Sequence, residues 1–212
     1  MANPLNAVVD ISHHNGDIDL QIAQGDGIIG VIHKATQGTT DVDPMYVTNR
    51  GKAQAAGLLW GAYHFGIGAD GVAQAQHFLD TVGTFQNTLL VLDFEPNTTG
   101  PSMSLDEARA FVTHVNQVTD RFPGLYSGSY IKELLGSGKD PVLAQCWLWL
   151  AEYGPNAVVP ANWPTWTMWQ YTDGSVGPQP HAVAGIGSCD RDQFNGTEDQ
   201  LRALWLNAPD TV

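Results

Sequence analysis

The stretch at residues 89–96 (LLVLDFEP) constrains the fold of this chain more than any other segment. It begins with four apolar residues, which is typical of a strand buried on both faces. Because side chains alternate along a strand, Asp93 and Glu95 are predicted to share one face while Phe94 takes the other. Pro96 cannot donate a hydrogen bond to a neighbouring strand, so the strand is predicted to end there. The stretch therefore predicts a central strand with two acids at its carboxyl end.

Two neighbouring carboxyl groups in apolar surroundings are not expected to titrate alike. Burial and the repulsion between Asp93 and Glu95 are expected to raise the pKa of one group and to leave the other ionised. A protonated acid beside an ionised one is what glycoside hydrolysis requires. Solvated acids also occur at strand ends, so a purely structural role stays open at this point.

The rest of the chain predicts an α/β fold, namely an irregular, TIM-like, single-domain β/α barrel with eight strands and fewer than eight helices. The first half alternates strands with helices, which is typical of a parallel sheet, and eight such strands indicate closure into a barrel. The loops after the sixth and seventh strands are rich in Gly, Pro and Asn and too short or broken for full helices. The eight strands are predicted at residues 7–12, 27–34, 58–65, 89–95, 123–128, 145–153, 165–171 and 188–194.

Helix start signals support this alternation. Asp43 followed by Pro44 predicts an N-cap and a first helical residue, and Ser104 with Glu107 forms a capping-box pattern. Thr197 is predicted to cap a closing helix over about residues 197–206. Further helices are predicted at residues 71–82 and 131–135. One catalytic domain is expected to span residues 1–212, without a wall-binding module.

Composition and charge exclude several classes of function. The 22 acidic residues against nine Lys and Arg give a formal net charge of −13, which argues against nucleic acid as a partner. No apolar run has the length of a transmembrane helix, so membrane insertion is not predicted. The amino terminus lacks a basic and apolar signal region, so we expect a protein released from the cytoplasm where it is made, or a secreted one whose signal has been removed. Cys146 and Cys189 fall on strands that are not neighbours, which favours two buried thiols over a disulfide.

Acidic and aromatic residues recur near the carboxyl ends of the predicted strands. In a barrel those ends meet at one face, which is where active sites are built. Any one of these residues could be an ordinary rim residue, but together they predict a site at this face. They are Asp10, Lys34, Tyr63, Asp93, Glu95, Tyr126, Tyr153, Trp169, Tyr171 and Asp190.

Several short motifs, taken in order and spacing, resemble those of the family 25 glycoside hydrolases, the Chalaropsis-type lysozymes. The resemblance runs nearly end to end and implies a distorted β/α barrel with some helices missing. It also implies a 1,4-β-N-acetylmuramidase that cleaves bacterial peptidoglycan between N-acetylmuramic acid and N-acetylglucosamine with retention. The motifs are VDIS at 9–12, KATQG at 34–38, GAYHF at 61–65, LDFE at 92–95, WLAEY at 149–153, WQY at 169–171 and CD at 189–190.

The resemblance implies roles for individual residues. Glu95 matches the catalytic acid/base and Asp93 its partner acid, while Asp10 and Asp190 match further acids lining the site. Tyr63 matches a tyrosine that faces the N-acetyl group of the sugar. The implied substrate-binding residues are Lys34, Tyr63, Tyr126, Trp149, Tyr153, Trp169 and Gln170. Two positions depart from the usual pattern: Gln37 stands where many members have Glu, and Cys189 where an aliphatic residue is more usual.

The attacking group stays open between two alternatives. Retention requires either an enzyme carboxylate, here Asp93, or the N-acetyl oxygen of the substrate itself. We favour the N-acetyl oxygen, because Asp93 and Glu95 lie on one side of a strand and leave little room to flank a sugar on opposite faces.

Other functions fit the sequence less well. A family 18 chitinase-like hydrolase would carry further acids upstream on the strand, where this chain has Thr88 and Val91. A non-catalytic glycan-binding barrel remains an alternative. No metal and no cofactor are predicted, because the adjacent His13 and His14 are a poor chelate and His64 is expected to be a packed, hydrogen-bonded residue. We expect a monomer, and the sequence leaves open whether it is a phage endolysin or a secreted enzyme.

Overall fold

A closed ring of eight strands forms the centre of the computed structural model, which describes residues 4–83 and 85–206 of the chain. The predicted α/β barrel is therefore confirmed. The strands are β1 Leu5–Ile11, β2 Gly30–Gln37, β3 Asp41–Val42, β4 Leu59–Phe65, β5 Thr88–Asp93, β6 Gly124–Ser127, β7 Trp147–Ala151, β8 Met168–Thr172, β9 Ala182–Val183, β10 Gly187–Ser188 and β11 Asp190–Phe194. The helices are α1 Leu20–Gly25, α2 Tyr46–Ala55, α3 Gly71–Val82, α4 Leu105–Thr119, α5 Ser129–Leu135 and α6 Glu198–Leu206.

The ring runs in the order β1, β11, β8, β7, β6, β5, β4, β2 and returns to β1. Seven of these strands are parallel to one another, but β11 is antiparallel to both of its neighbours, β1 and β8. The expectation of an all-parallel sheet is wrong for this strand. The chain between β8 and β11 contains only the β9–β10 hairpin, so it returns without the helical crossover that a parallel strand would need.

The helix signals in the sequence are confirmed at two positions and wrong at a third. Ser104 and Glu107 form the reciprocal capping box of α4, and the Thr197 hydroxyl accepts from the backbone N–H of Gln200 at the start of α6. Asp43 does not cap α2, whose N-cap is Met45. The Asp43 carboxylate instead accepts hydrogen bonds from His13 and from the Met45 backbone.

Short elements account for the remaining differences. The six-residue α1 was not predicted, because it is too short to display a helical period; Asp19 caps it by accepting from two backbone N–H groups. β5 ends at Asp93 rather than at Glu95. No helix occurs between β7 and β8 or between β8 and β11 in the described chain, as the broken loop sequences predict.

Alternation along the strands divides the apolar residues into two layers. One layer packs between the ring and the surrounding helices, and it includes Leu90, Leu92 and Phe94. The other fills the inside of the ring, where Leu89 and Val91 point. The interior layer also contains Val8, Ile32, Tyr126, Trp149, Met168, Phe194, Leu201 and Trp205.

Helix α6 closes the end of the ring at which the parallel strands begin. Its Trp205 is completely buried in the interior layer, and its ring lies so close to Gly30, the first residue of β2, that a Cβ there would be 3.0 Å from it. The opposite end, where the parallel strands finish, remains open to form a cavity.

Both cysteines are buried and unbonded, which confirms the prediction of two separate thiols. His64 is also buried, as expected, and its ring nitrogens lie 2.7 Å from the Thr36 hydroxyl and 3.2 Å from the Gln74 side-chain oxygen. Within the described ranges, no helix is long and apolar enough to cross a bilayer.

Candidate active site

A cavity of about 220 Å³ opens at the carboxyl ends of the parallel strands. Four carboxyl groups, four aromatic side chains and one amide line it, and all nine belong to the residues predicted from the sequence. The lining residues are Asp10, Tyr63, Asp93, Glu95, Tyr126, Trp149, Tyr153, Gln170 and Asp190.

The Asp93–Glu95 pair has the arrangement that strand alternation predicts. Both side chains line the cavity, and Phe94 between them packs in the outer apolar layer. The backbone N–H of Phe94 still donates to the carbonyl of Tyr126 at 2.8 Å, so the direction of the strand is maintained beyond its last ladder residue. The two acids consequently project from one wall of the cavity.

Asp10 and Asp190 face each other on neighbouring strands of the opposite wall. They are register partners in the β1–β11 pair. Asp10 lies near the end of β1, whereas Asp190 is the first residue of β11, not near the end of a strand as the sequence indicates. Because β11 runs in reverse, its beginning lies at the cavity, so the predicted juxtaposition occurs for a different reason.

A hydrogen-bond network centred on Gln170 links the two walls. Its side-chain oxygen accepts from the hydroxyls of Tyr126 at 2.7 Å and Tyr153 at 2.6 Å. Its side-chain nitrogen donates to Asp10 Oδ2 at 2.8 Å. The amide thereby holds two aromatic side chains and one carboxyl group in fixed positions.

The carboxyl groups of the cavity all have raised pKa values. Burial is the largest cause for each, and a second acid adds to it: Glu95 raises the pKa of Asp93, and Asp190 raises the pKa of Glu95. The pKa of Asp190 is raised to about 6, first by burial and then by the charge of Asp173. The expectation that only one member of the Asp93–Glu95 pair is raised is wrong, because the closed barrel removes water from both.

The charge of Lys34 acts differently on the pKa values of Asp93 and Glu95. It lowers the pKa of Asp93, opposing the effect of burial, whereas the charge that acts on Glu95 is that of another acid. Lys34 Nζ donates to Gln37 Oε1 at 2.7 Å and lies 5.1 Å from the centre of the Phe65 ring. The ammonium group stands beside the cavity but is not part of its lining.

Trp169 is the other predicted substrate-binding residue that does not line the cavity. It follows Met168 and precedes Gln170, both of which point inward, so alternation directs its ring to the outer layer. There its ring contacts Trp166 and Tyr171, and its Nε1–H donates to the backbone carbonyl of Glu152 at 2.7 Å.

Sequence reasoning missed Asp192, which lies two residues after Asp190 on the same face of β11. Its carboxyl is completely buried in the ring and accepts from Trp149 Nε1 at 2.7 Å. The Asp-x-Asp spacing repeats the Asp93-x-Glu95 pattern and could have identified it.

Comparisons with known proteins agree with this geometry. The family model "Glycosyl hydrolases family 25" matches residues 9–179. The chain is 33% identical to Lysozyme M1 of Streptomyces globisporus over 94% of this chain and 71% of that protein. It is 27% identical to the N,O-diacetylmuramidase of a Chalaropsis species over 92% and 96% of the two chains.

A solved structure has the same architecture throughout. The crystal structure of a bacterial lysozyme from Streptomyces coelicolor superposes with a TM-score of 0.86 at 31% identity, covering 99% of this chain and 100% of that one. The shared barrel, the matched family model and the cavity with four carboxyl groups lead to one conclusion. The chain belongs to glycosyl hydrolase family 25.

Proposed function

We propose that this hydrolase is a lysozyme that cleaves the β-1,4 bond between N-acetylmuramic acid and N-acetylglucosamine in bacterial peptidoglycan. The observation that carries the proposal is the pair Asp93 and Glu95 on one wall of a cavity that two further acids and four aromatic residues complete. The names of the Streptomyces globisporus lysozyme and the Chalaropsis muramidase support the same bond.

Glu95 is the general acid and then the general base in this proposal. A carboxyl group can protonate the glycosidic oxygen only if it holds a proton near neutral pH, and burial together with the charge of Asp190 raises the pKa of Glu95. After the leaving sugar departs, the same group, now ionised, removes a proton from the incoming water. The raised pKa supports both steps.

Asp93 assists the substrate's own N-acetyl group rather than attacking the anomeric carbon. Its Oδ1 is buried and has no hydrogen-bond partner among the described residues, which leaves an acceptor free for an amide N–H. An ionised carboxylate that accepts from this N–H increases the nucleophilicity of the N-acetyl oxygen. Attack by that oxygen and a second displacement by water give retention. Burial and the charge of Glu95 raise the pKa of Asp93 well above its ordinary value. When Glu95 carries the proton, that repulsion is absent, and the charge of Lys34 then favours the ionised form of Asp93.

Aromatic side chains hold the sugar in this proposal, because the carboxyl-lined cavity offers little attraction for an anionic ligand. Tyr63, Tyr126 and Trp149 form the inner walls of the cavity, and Tyr153 stands at the rim with 39% of its surface exposed. Aromatic faces pack against the apolar faces of sugar rings. Asp10 and Asp190 stabilise the positive charge that develops at the anomeric centre.

The proposed place of action is the bacterial cell wall, reached either by release of a phage lysin from the host cytoplasm or by secretion. The formal charge of −13 supports the exclusion of nucleic acid from the partners. A monomeric state and the absence of a cofactor remain predictions.

The test compares wild type with Glu95→Gln on purified peptidoglycan, with the released ends identified by mass spectrometry. Gln keeps the shape of Glu95 but cannot donate the proton, so clearing is expected to fall about 10²- to 10⁴-fold. Glu133→Gln, an exposed position on α5, is the matched control and is expected to clear normally.

Reducing-end muramic acid in the wild-type products would establish the bond. Reducing-end N-acetylglucosamine would mean that the protein is a glycoside hydrolase that cleaves the other glycosidic bond of peptidoglycan. Binding without clearing by the wild type would favour a non-catalytic glycan-binding barrel and refute the mechanism.

A further inference from the structure

Strand β2 contains a bulge at the point where it passes the cavity. Its ladder with β4 pairs Lys34 with Tyr63 and Thr36 with His64, so two steps along β2 match one step along β4. Ala35 is the additional residue. Bulges change the direction of side chains and are common beside active sites. The reaction described above does not explain this one.

The bulge changes which side chains share the face of the cavity. In a regular strand Lys34 and Gln37, three residues apart, would point to opposite faces. Here Lys34 Nζ donates to Gln37 Oε1 at 2.7 Å and lies over the Phe65 ring, 5.1 Å from its centre. Gln37, Phe65 and Asp93 are register partners across β2, β4 and β5. The ammonium group therefore lies along the row of side chains that ends with Asp93.

His33 contacts the backbone where this bulge begins. Its ring packs against Tyr46 and Trp60 in the outer layer, and its Nδ1 lies 2.6 Å from the carbonyl oxygen of Lys34. A carbonyl can only accept, so Nδ1 carries the proton. Ladder carbonyls point along a sheet, away from the side chains on its faces. The contact therefore shows that the peptide after Lys34 is turned toward the outer layer.

Asn49 binds the other nitrogen of the His33 ring. Its Nδ2 donates to Nε2 at 3.0 Å, which a ring protonated at Nδ1 alone can accept. Both side chains are completely buried, and Asn49 Oδ1 has no partner among the described residues, so the contact with His33 is what explains an amide at this position. Burial lowers the pKa of His33 and outweighs the hydrogen bond to Lys34 and the charge of Asp43, which raise it. The charge of His13 adds to the lowering, so the ring is neutral near neutral pH.

His64 holds the other side of the bulge in the opposite tautomer. Its Nδ1 lies 2.7 Å from the Thr36 hydroxyl, and its Nε2 lies 3.2 Å from Gln74 Oε1. The Gln74 amide has a defined orientation, because its nitrogen donates to the carbonyls of Ile67 and Ala69. An amide oxygen can only accept, so Nε2 carries the proton and Nδ1 accepts from Thr36. The bulge thus lies between two buried histidines.

We propose that His33 is a positioning residue: its Nδ1–H holds the turned carbonyl of Lys34 and so maintains the bulge that sets the ammonium group beside Asp93. A phenyl or aliphatic side chain would fill the same space in the outer layer but would leave the carbonyl without this donor. The effect on peptidoglycan clearing rests on the proposed function, whereas the effect on the position of the ammonium group does not.

A matched pair of substitutions separates the two contacts of the His33 ring. In His33→Asn the side-chain nitrogen takes the place of Nδ1 and can still donate to the Lys34 carbonyl. In His33→Gln the amide reaches the place of Nε2, so it can contact Asn49 but not the carbonyl. Crystal structures should keep the Lys34–Gln37 hydrogen bond in His33→Asn and lose it in His33→Gln.

An unchanged bulge with an intact Lys34–Gln37 hydrogen bond in His33→Gln would overturn the proposal. If His33→Gln does not fold, the tautomer decides. NMR of the ring nitrogens in histidine-labelled wild type should contain a ring protonated at Nδ1 alone near neutral pH, and its signals should be absent from His33→Asn. A His33 ring protonated at Nε2 would refute the donor role.

The pH profile of clearing is the functional readout. The charge of Lys34 lowers the pKa of Asp93, so a displaced ammonium group should move the acid limb to higher pH. In His33→Gln the clearing rate on that limb should fall about threefold, and His33→Asn should restore it. In a Lys34→Met background, His33→Gln should move the limb no further. His114→Gln, a partly exposed histidine on α4, is the control and should leave the limb unchanged.

The possible results are distinguishable. A loss of clearing at every pH in both His33 variants, without a shift of the acid limb, would mean that His33 only stabilises the fold and would refute positioning. An equal further shift in the Lys34→Met background would mean that His33 acts without the lysine and would refute it as well. A wild type that does not clear peptidoglycan would refute the proposed function, and the crystallographic comparison would still decide the position of the ammonium group.

Discussion

Replacing Asp190 with Asn is expected to make the stability of this protein less dependent on pH. The side chain is mostly withdrawn from water at the mouth of the cavity, and burial with the charge of Asp173 raises its pKa from the ordinary 3.8 to about 6. An acid whose pKa is raised by folding holds more protons in the folded chain than in the unfolded chain. The free energy of unfolding must therefore fall as the pH rises through this range.

The size of the effect follows from the pKa shift. A shift of roughly two units, at about 1.4 kcal/mol per unit, corresponds to at most about 3 kcal/mol of stability that is present at about pH 4 and lost by about pH 7. Water reaches part of the Asp190 side chain, and this screening brings the measured value below that limit. Asn cannot ionise, so the variant should lack this part of the decrease in the free energy of unfolding with rising pH.

Urea unfolding followed by tryptophan fluorescence over about pH 4 to about pH 8 would measure the difference between wild type and Asp190→Asn. Asp80→Asn, an exposed position on α3, is the matched control and should follow the wild-type curve. If Asp190→Asn loses as much stability with rising pH as the wild type does, burial of Asp190 does not destabilise its charged form, and the electrostatic account of the cavity fails.

Two further predictions concern the closed end of the barrel and the cation beside the cavity. Trp205→Ala should lower the free energy of unfolding in urea by about 3–5 kcal/mol, because the indole fills the interior layer. Leu206→Ala, at an exposed position, is the control and should change stability by less than about 0.5 kcal/mol. Equal losses would mean that α6 does not close the end of the barrel. Lys34→Met should move the acid limb of the pH profile of peptidoglycan clearing to higher pH. The charge of the lysine lowers the pKa of Asp93, so its removal should let Asp93 ionise only at higher pH. Lys139→Met, which is exposed, is the control, and an unmoved limb would exclude Asp93 as the group that must ionise.

The central acid pair could be located from the sequence because its placement depends on local geometry. An apolar run predicts a buried strand, and the period of two assigns Asp93 and Glu95 to one face and Phe94 to the other. The structure has this arrangement, with Phe94 in the outer layer. The same rule would have directed Trp169 outward and Gln170 inward had it been applied to β8.

Asp190 and Asp192 illustrate what local geometry leaves undetermined. The residues of β11 predict a strand, but they carry no information about its direction within the ring. That direction depends on the connection from β8, a β9–β10 hairpin in place of a helix. The reversal brings the beginning of β11 to the cavity and places Asp192 one layer deeper, beside Trp149 of another strand.

The sequence alone determined the eight strands of the ring, most of the helices, the family and the identity of nine cavity residues, because these depend on periodicity, capping residues and short motifs. It did not predict the two-residue strands β3, β9 and β10. Only the tertiary structure decided that both acids of the pair are raised in pKa, that α6 closes one end of the ring, and that Gln170 joins Asp10 to Tyr126 and Tyr153. These properties depend on which strands become neighbours and on how much water the closed ring excludes. Both are set by contacts between residues far apart in the chain.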